Sequence, residues 1–192
     1  SDVTIASMTL GAAANVTVNQ NKTLNVGNIA IAEGGNLTIA QNADVLQPPT
    51  AVNTGKATVK VNSSNLFRQD YTLWSSPVAG QNLRNFSPQT RYNRFSSYDT
   101  ALGTAGDYVQ EIVTTADMNT KTFVNAKGYM IRMPNNWTEF VNASIPGTPY
   151  LGQFTGTLNN GNVSIPLSLA NTKLNLLGNP YPSPISISAF FA

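Results

Sequence analysis

Apolar residues in the first 47 positions follow two periods at once. Within short runs they alternate with polar or small residues, as in Val16-Thr17-Val18 and Leu37-Thr38-Ile39, which marks a strand with one buried face. Between runs the pattern returns after 21 residues: Val3 falls on Leu24 and then Val45, Ile5 on Val26, Met8 on Ile29, Leu10 on Ile31, Val16 on Leu37 and Val18 on Ile39. Asn15, Thr17, Gln20 and Asn21 recur unchanged as Asn36, Thr38, Gln41 and Asn42. A long fixed period carrying about three short strands per turn predicts stacked coils of a β-solenoid. Gly27, Gly34, Gly35 and several asparagines fall between the runs, where corners need φ > 0. The pairs Asn15/Asn36 and Asn21/Asn42 are expected to stack as amide ladders. Pro48-Pro49 is expected to end the stack, because neither proline donates to a ladder. Two coils fall short of the roughly three repeats such stacks need, so the coils are expected to continue upstream, pack on the next domain or meet a partner.

The remainder carries no long segment of period 3.6. Short β-rich runs at 56–61, 71–74, 128–133, 152–158 and 162–167 are separated by turn residues. Asn160-Gly161, between the last two runs, signals a hairpin. Many short strands with such punctuation predict a β-sandwich of jelly-roll type. The expected organisation is therefore all-β, with solenoid coils over 1–49 and a β-sandwich module over 50–192. Residues 186–192 read as a last strand or the start of a short helix. Both ends fall inside apolar patterns, so the chain is expected to be a piece of a longer one. Its end coil and residues 185–192 are expected to be packed on the sandwich or engaged by another chain.

Composition narrows the chemistry. The 192 residues are 41% apolar, within the globular range, but only 10% charged, against roughly 25% in typical soluble domains. Asn, Thr, Ser and Gln must hydrate the surface instead. A net charge of +2 provides no strong field for nucleic acid or an anionic membrane. No apolar run approaches the roughly 20 residues of a membrane helix. Cysteine and histidine are both absent, which removes disulfides, thiolate chemistry, imidazole-based triads and His-ligated metals.

Few candidate sites survive. Asp99, Asp107 and Glu111 form the main acidic group, a candidate for calcium through oxygen ligands, although the EF-hand spacing is missing. As a glycosidase pair, two of them would have to face each other about 5–9 Å apart across a cleft; a solvated loop is the simpler reading. Ser75-Ser76 have no base to activate them. Arg84, Arg91 and Arg94 interleave with Phe86, Tyr92 and Phe95. That is the composition of a nucleic-acid platform, but strand alternation with aromatics inward and arginines outward explains it more simply. Trp74 reads as core. Trp137, among turn residues, and Tyr150 are candidates to stack on sugar rings. Asp99-Thr100-Ala101 fits a three-residue O-glycosylation pattern, with Thr100 as acceptor.

Five segments resemble, in this order, a recurrent region of large secreted Bacteroidetes surface proteins: DYTLWSSPVAGQNL (70–83), SPQTRYNRFSSYD (87–99), KGYMIRMPN (127–135), FTGTLNNGNVSIPLS (154–168) and NLLGNPYPSPIS (175–186). In those proteins the region follows repetitive or β-helical parts and lies upstream of a type IX sorting domain. The resemblance implies a secreted or cell-surface location, and it brings no catalytic residues with it. The expected function is a non-catalytic structural or adhesive module. Its expected partners are other surface-protein domains, copies of itself or glycans, with no nucleic acid, membrane insertion or obligatory cofactor. A carbohydrate-binding module of a glycan-degrading system is the alternative.

Overall fold

The computed structural model describes residues 1–191, apart from the side chain of Ala189. The fold is built mainly of β-sheet. The first 46 residues form β1 (Val3–Leu10), β2 (Asn15–Val18), β3 (Thr23–Ile31), β4 (Asn36–Ile39) and β5 (Asp44–Leu46). After the prolines come β6 (Asn53–Thr54) and β7 (Ala57–Leu66), then β8 (Tyr71–Trp74), β9 (Val78–Ala79), a helical turn α1 (Leu83–Phe86), a 3-10 turn at Tyr92–Arg94, β10 (Phe95–Asp99) and β11 (Asp107–Gln110). The chain closes with α2 (Thr115–Thr120), β12 (Tyr129–Arg132), β13 (Thr148–Leu158) and α3 (Ile187–Phe190).

The 21-residue period becomes parallel pairing. Val3 is the register partner of Leu24, which is the partner of Val45; Val16 pairs with Leu37 and Val18 with Ile39. Corners repeat with the same period. Ala13, Gly34 and Gly55 all have φ between +65° and +82°, a conformation that glycine adopts freely, and the Ala13 N–H donates to the Gly34 carbonyl. Asn21 and Asn42 occupy a second left-handed corner. Gly27 serves a different need: a Cβ there would lie 2.2 Å from the Ala6 carbonyl oxygen. At that point the buried positions of β3 change phase, from Leu24 and Val26 to Ile29 and Ile31.

Two expectations about this region are corrected. Pro48-Pro49 does not stop the parallel pairing: β6 joins β3 and β7 joins β4. The prolines sit in a turn closed by the Ala51 N–H to Pro48 carbonyl bond, where a missing donor costs no ladder bond. The asparagine ladders also do not form. The Asn15 amide donates to the Ala13 carbonyl and the Asn36 amide to the Thr38 hydroxyl, each within its own pass.

Three sheets result. One is the parallel set β1-β3-β5 with β6 beside β3. The second has the order β2-β4-β7-β13-β9, parallel up to β7 and antiparallel beyond it. The third is antiparallel, β11-β10-β12-β8. Strand β7 is the seam, paired to β4 on one side and to β13 on the other. One continuous apolar core joins residues of all three sheets. Its aromatic part gathers Trp74, Phe86, Phe123 and Phe154, with Phe86 stacked on Phe154 at 4.5 Å.

Residues 162–167 form no strand. The chain bends at Gly161, which has φ +73°, but β13 already has β7 and β9 as partners. The flanking amides are used elsewhere: Asn160 donates to the Pro48 and Ala51 carbonyls, Asn159 to the Ser76 and Pro180 carbonyls. The last described element is the short helix α3, with Phe190 and the following Phe191 exposed and in edge-to-face contact; Ala192 lies outside the described residues.

Candidate functional site

Trp137 and Tyr150 do come together. Their rings meet edge to face with centroids 5.3 Å apart. Both are half-buried, and both are tied down: the Trp137 indole N–H donates to the Thr148 carbonyl, and the Tyr150 hydroxyl donates to the Phe86 carbonyl at 2.9 Å. Tyr150 also contacts the rings of Trp74 and Phe86. Burial pushes its phenol pKa upward. The pair is thus an extension of the aromatic core, and the two rings do not lie in one plane.

The acidic trio is not gathered. Among the described residues no cluster of three or more acidic side chains is placed to hold a metal ion. Asp99 and Asp107 are cross-strand partners in β10 and β11. Each accepts a local main-chain bond instead, Asp99 from the Ala101 N–H and Asp107 from the Tyr108 N–H. Glu111 turns away to Lys127, 2.8 Å from its ammonium. The expected acceptor Thr100 is also corrected: it is only 3% exposed, and its hydroxyl donates to the Ala170 carbonyl, so a glycosyl donor cannot reach it in the folded domain. Ser75 and Ser76 both donate to main-chain carbonyls, of Asn179 and Val78.

Glu111 is a structural group with a pH signature. Burial pushes its carboxyl up, but the bonds from Lys127 and Ser97, with the charges of Lys127 and Lys121, outweigh this and hold its pKa below the usual glutamate range. A carboxyl depressed in the folded state stabilises above its unfolded pKa, and that contribution is lost as pH falls through the folded value. Urea midpoints of the wild type should therefore drop on the acid side of about pH 4.3. Glu111→Gln should lower the midpoint at pH 7 and flatten the drop; an unchanged acid limb would count against the Lys127 pairing as its source.

The strongest concentration of charge lies at one end of the third sheet. Arg132 closes β12, opposite Tyr71 of β8. Phe95 pairs with Ile131, so Arg94 lies beside Arg132. Tyr71, Arg94 and Arg132 share the face opposite Phe95, Tyr129 and Ile131, which are buried in the core. Arg132 is nevertheless only 8% exposed, because the loops before β8 and after β12 cover it. Its two terminal nitrogens donate to Gln69 and Asn135, one from each loop. Burial lowers its pKa, and the neighbouring charges of Arg94, Arg68 and Arg91 add to that effect. Arg68 pairs with Glu139. Arg84 donates to the Ser87 and Thr90 carbonyls, and the Thr90 hydroxyl donates in turn to the Arg132 carbonyl.

Sequence reasoning placed Arg84, Arg91 and Arg94 on one face of an alternating strand. Instead they occupy α1 and the turns around the 3-10 segment, with Phe86 and Phe95 buried and Tyr92 exposed. Arg132 was missed, although a signal was available. All five arginines of the chain fall between residues 68 and 132, with no lysine between Lys60 and Lys121. A cleft of about 520 Å³ lies elsewhere, along residues such as Lys60, Asn62, Ser63, Asn179 and Tyr181.

A family model described as a domain of unknown function, DUF8693, matches residues 1–192. No curated protein and no solved structure matches the chain.

Proposed function

The chain belongs to the DUF8693 family, and we propose that it is a non-catalytic structural or adhesive module of a large bacterial surface protein. The observation that carries this reading is the in-register parallel stack. Three passes of chain pair through β1-β3-β5 and β2-β4-β7, and their left-handed corners recur at Ala13, Gly34 and Gly55. We read this stack as a short β-solenoid. Strand β7 leaves it to pair with β13, and the third sheet packs over β13 through aromatic side chains; we read that half as a β-sandwich. A solenoid joined to a sandwich through one shared strand and one core transmits load without a hinge, which suits a stalk or spacer.

The surface chemistry agrees with this role. Strands β1 and β2, at the open edge of the stack, contain no charged residue and no proline. Natural edges normally carry such devices against strand addition, so this edge suits continued pairing. Immunolabelling of intact cells that carry the natural protein tests the location: label on unpermeabilised cells is expected, and label only after permeabilisation would overturn it. No turnover of ester, peptide or glycoside panels is expected, and activity that an Asp107→Asn change abolished would refute the non-catalytic reading.

A further inference from the structure

We propose that the arginine cluster at the end of the third sheet, formed by Arg132, Arg94 and Arg91, is a binding site for an oxyanion group, a carboxylate or a sulfate. The charge there is not balanced from within. Among the described residues, none of these three guanidinium groups has a carboxylate partner. Of the acids in the neighbouring loops, Glu139 pairs with Arg68, and the Asp70 carboxylate accepts the Phe67 N–H and forms no ion pair with the three arginines. The Nε atoms of Arg132 and Arg94 are buried and donate to nothing.

A guanidinium taken out of water without a counter-charge is costly, and a second one beside it adds repulsion. Arg132 is over nine-tenths buried and bonds only to the neutral amides of Gln69 and Asn135. These amides satisfy hydrogen bonds and leave the charge in place. An anion would relieve both penalties. The same turn also holds Asn93, whose Oδ1 is buried without a donor. Amide orientation is assigned from the hydrogen-bond network, and the opposite orientation would give this turn a further buried N–H donor.

The residue type points the same way. The fork of an arginine matches two oxygens of one oxyanion, whereas a lysine offers a point charge. The basic residues at this end are all arginines. Arg91 is exposed and Arg94 half-exposed, so their side chains can swing aside to admit a small group without unfolding. A duplex nucleic acid would need a longer basic stripe, and the net charge of +2 leaves little beyond this cluster. The alternative role for Arg132 is a clamp between the loops that carry Gln69 and Asn135, which requires no ligand.

Arginine Nε–H resonances of the full chain, followed by NMR during separate titrations with sodium acetate and sodium sulfate at constant ionic strength, distinguish the two. Saturable shifts of the Arg94 and Arg132 signals in the millimolar range, with sodium chloride inert, are expected. The ranking of the two arms tells a carboxylate from a sulfate. Arg91→Gln, at an exposed position, should weaken the better anion at least threefold, and Arg94→Gln at least tenfold, with both variants folded. Arg132→Met is left out of the test because it removes the bridge between two loops. No saturable shift with either anion, or equal shifts with chloride, would overturn the site.

Discussion

Phe154→Ala is expected to cost about 3–5 kcal/mol, the range for deleting a buried aromatic ring from a packed core. Phe154 has no exposed surface. It lies on β13 opposite Val59 of β7, at the seam between the parallel stack and the antiparallel half. Its ring stacks on Phe86 at 4.5 Å and meets Phe123 edge-on at 5.4 Å, with Trp74 at 6.1 Å. These neighbours come from α1, the segment before β12 and β8, so their backbones cannot all move inward to fill the gap. Domains of this size are stable by only about 5–15 kcal/mol, so one ring carries a large share. A urea titration followed by tryptophan fluorescence measures the effect, because Trp74 reports from the same cluster. The midpoint should fall sharply while the slope is retained. A loss below about 1 kcal/mol would show that the two halves do not share this core.

Local patterning made most of the strands legible. The runs at 56–61, 71–74, 128–133 and 152–158 each coincide with a strand, β7, β8, β12 and β13, because alternation and β-branched residues report a half-buried ladder directly. The 21-residue offset reappears as register for the same reason: each apolar position needs its counterpart above it. Long-range competition was not legible. The segment 162–167 alternates as a strand should, yet both edges of the neighbouring part of β13 are occupied by chain that lies far away in sequence. Pro48-Pro49 read as a stop because the sequence does not reveal that the turn holding them is latched from a distance by Asn160. The arginine cluster was hidden likewise. Arg132 is 38 residues beyond Arg94, and only the antiparallel pairing of β10 with β12 sets them side by side. Thr100 was misread because its neighbour Ala170 arrives from a later loop.

The parallel stack makes a differential prediction that a flat meander does not. Leu37 and Val16 are register partners in β4 and β2, but they differ in depth. Leu37 has a pass on either side, β2 and β7, and no exposed surface. Val16 belongs to the edge strand and is only half-buried. Leu37→Ala should therefore cost on the order of 2–5 kcal/mol, whereas Val16→Ala should cost about 1 kcal/mol or less, since little of its surface is transferred from water on folding. The same gradient runs along the other sheet, where Val3 is 47% exposed, its partner Leu24 is 4% exposed, and Val45, the next in the column, is 3% exposed. Comparable losses at residues 16 and 37 in a dilute monomer would contradict the depth order of the passes. Measurement at rising protein concentration adds a second reading. If a second copy pairs with the uncharged edge of β1 and β2, Val16 becomes buried in the assembly, and the cost of Val16→Ala must climb with concentration while that of Leu37→Ala changes little. A Val16→Ala cost that stays flat up to millimolar protein would rule out strand addition between copies at this edge.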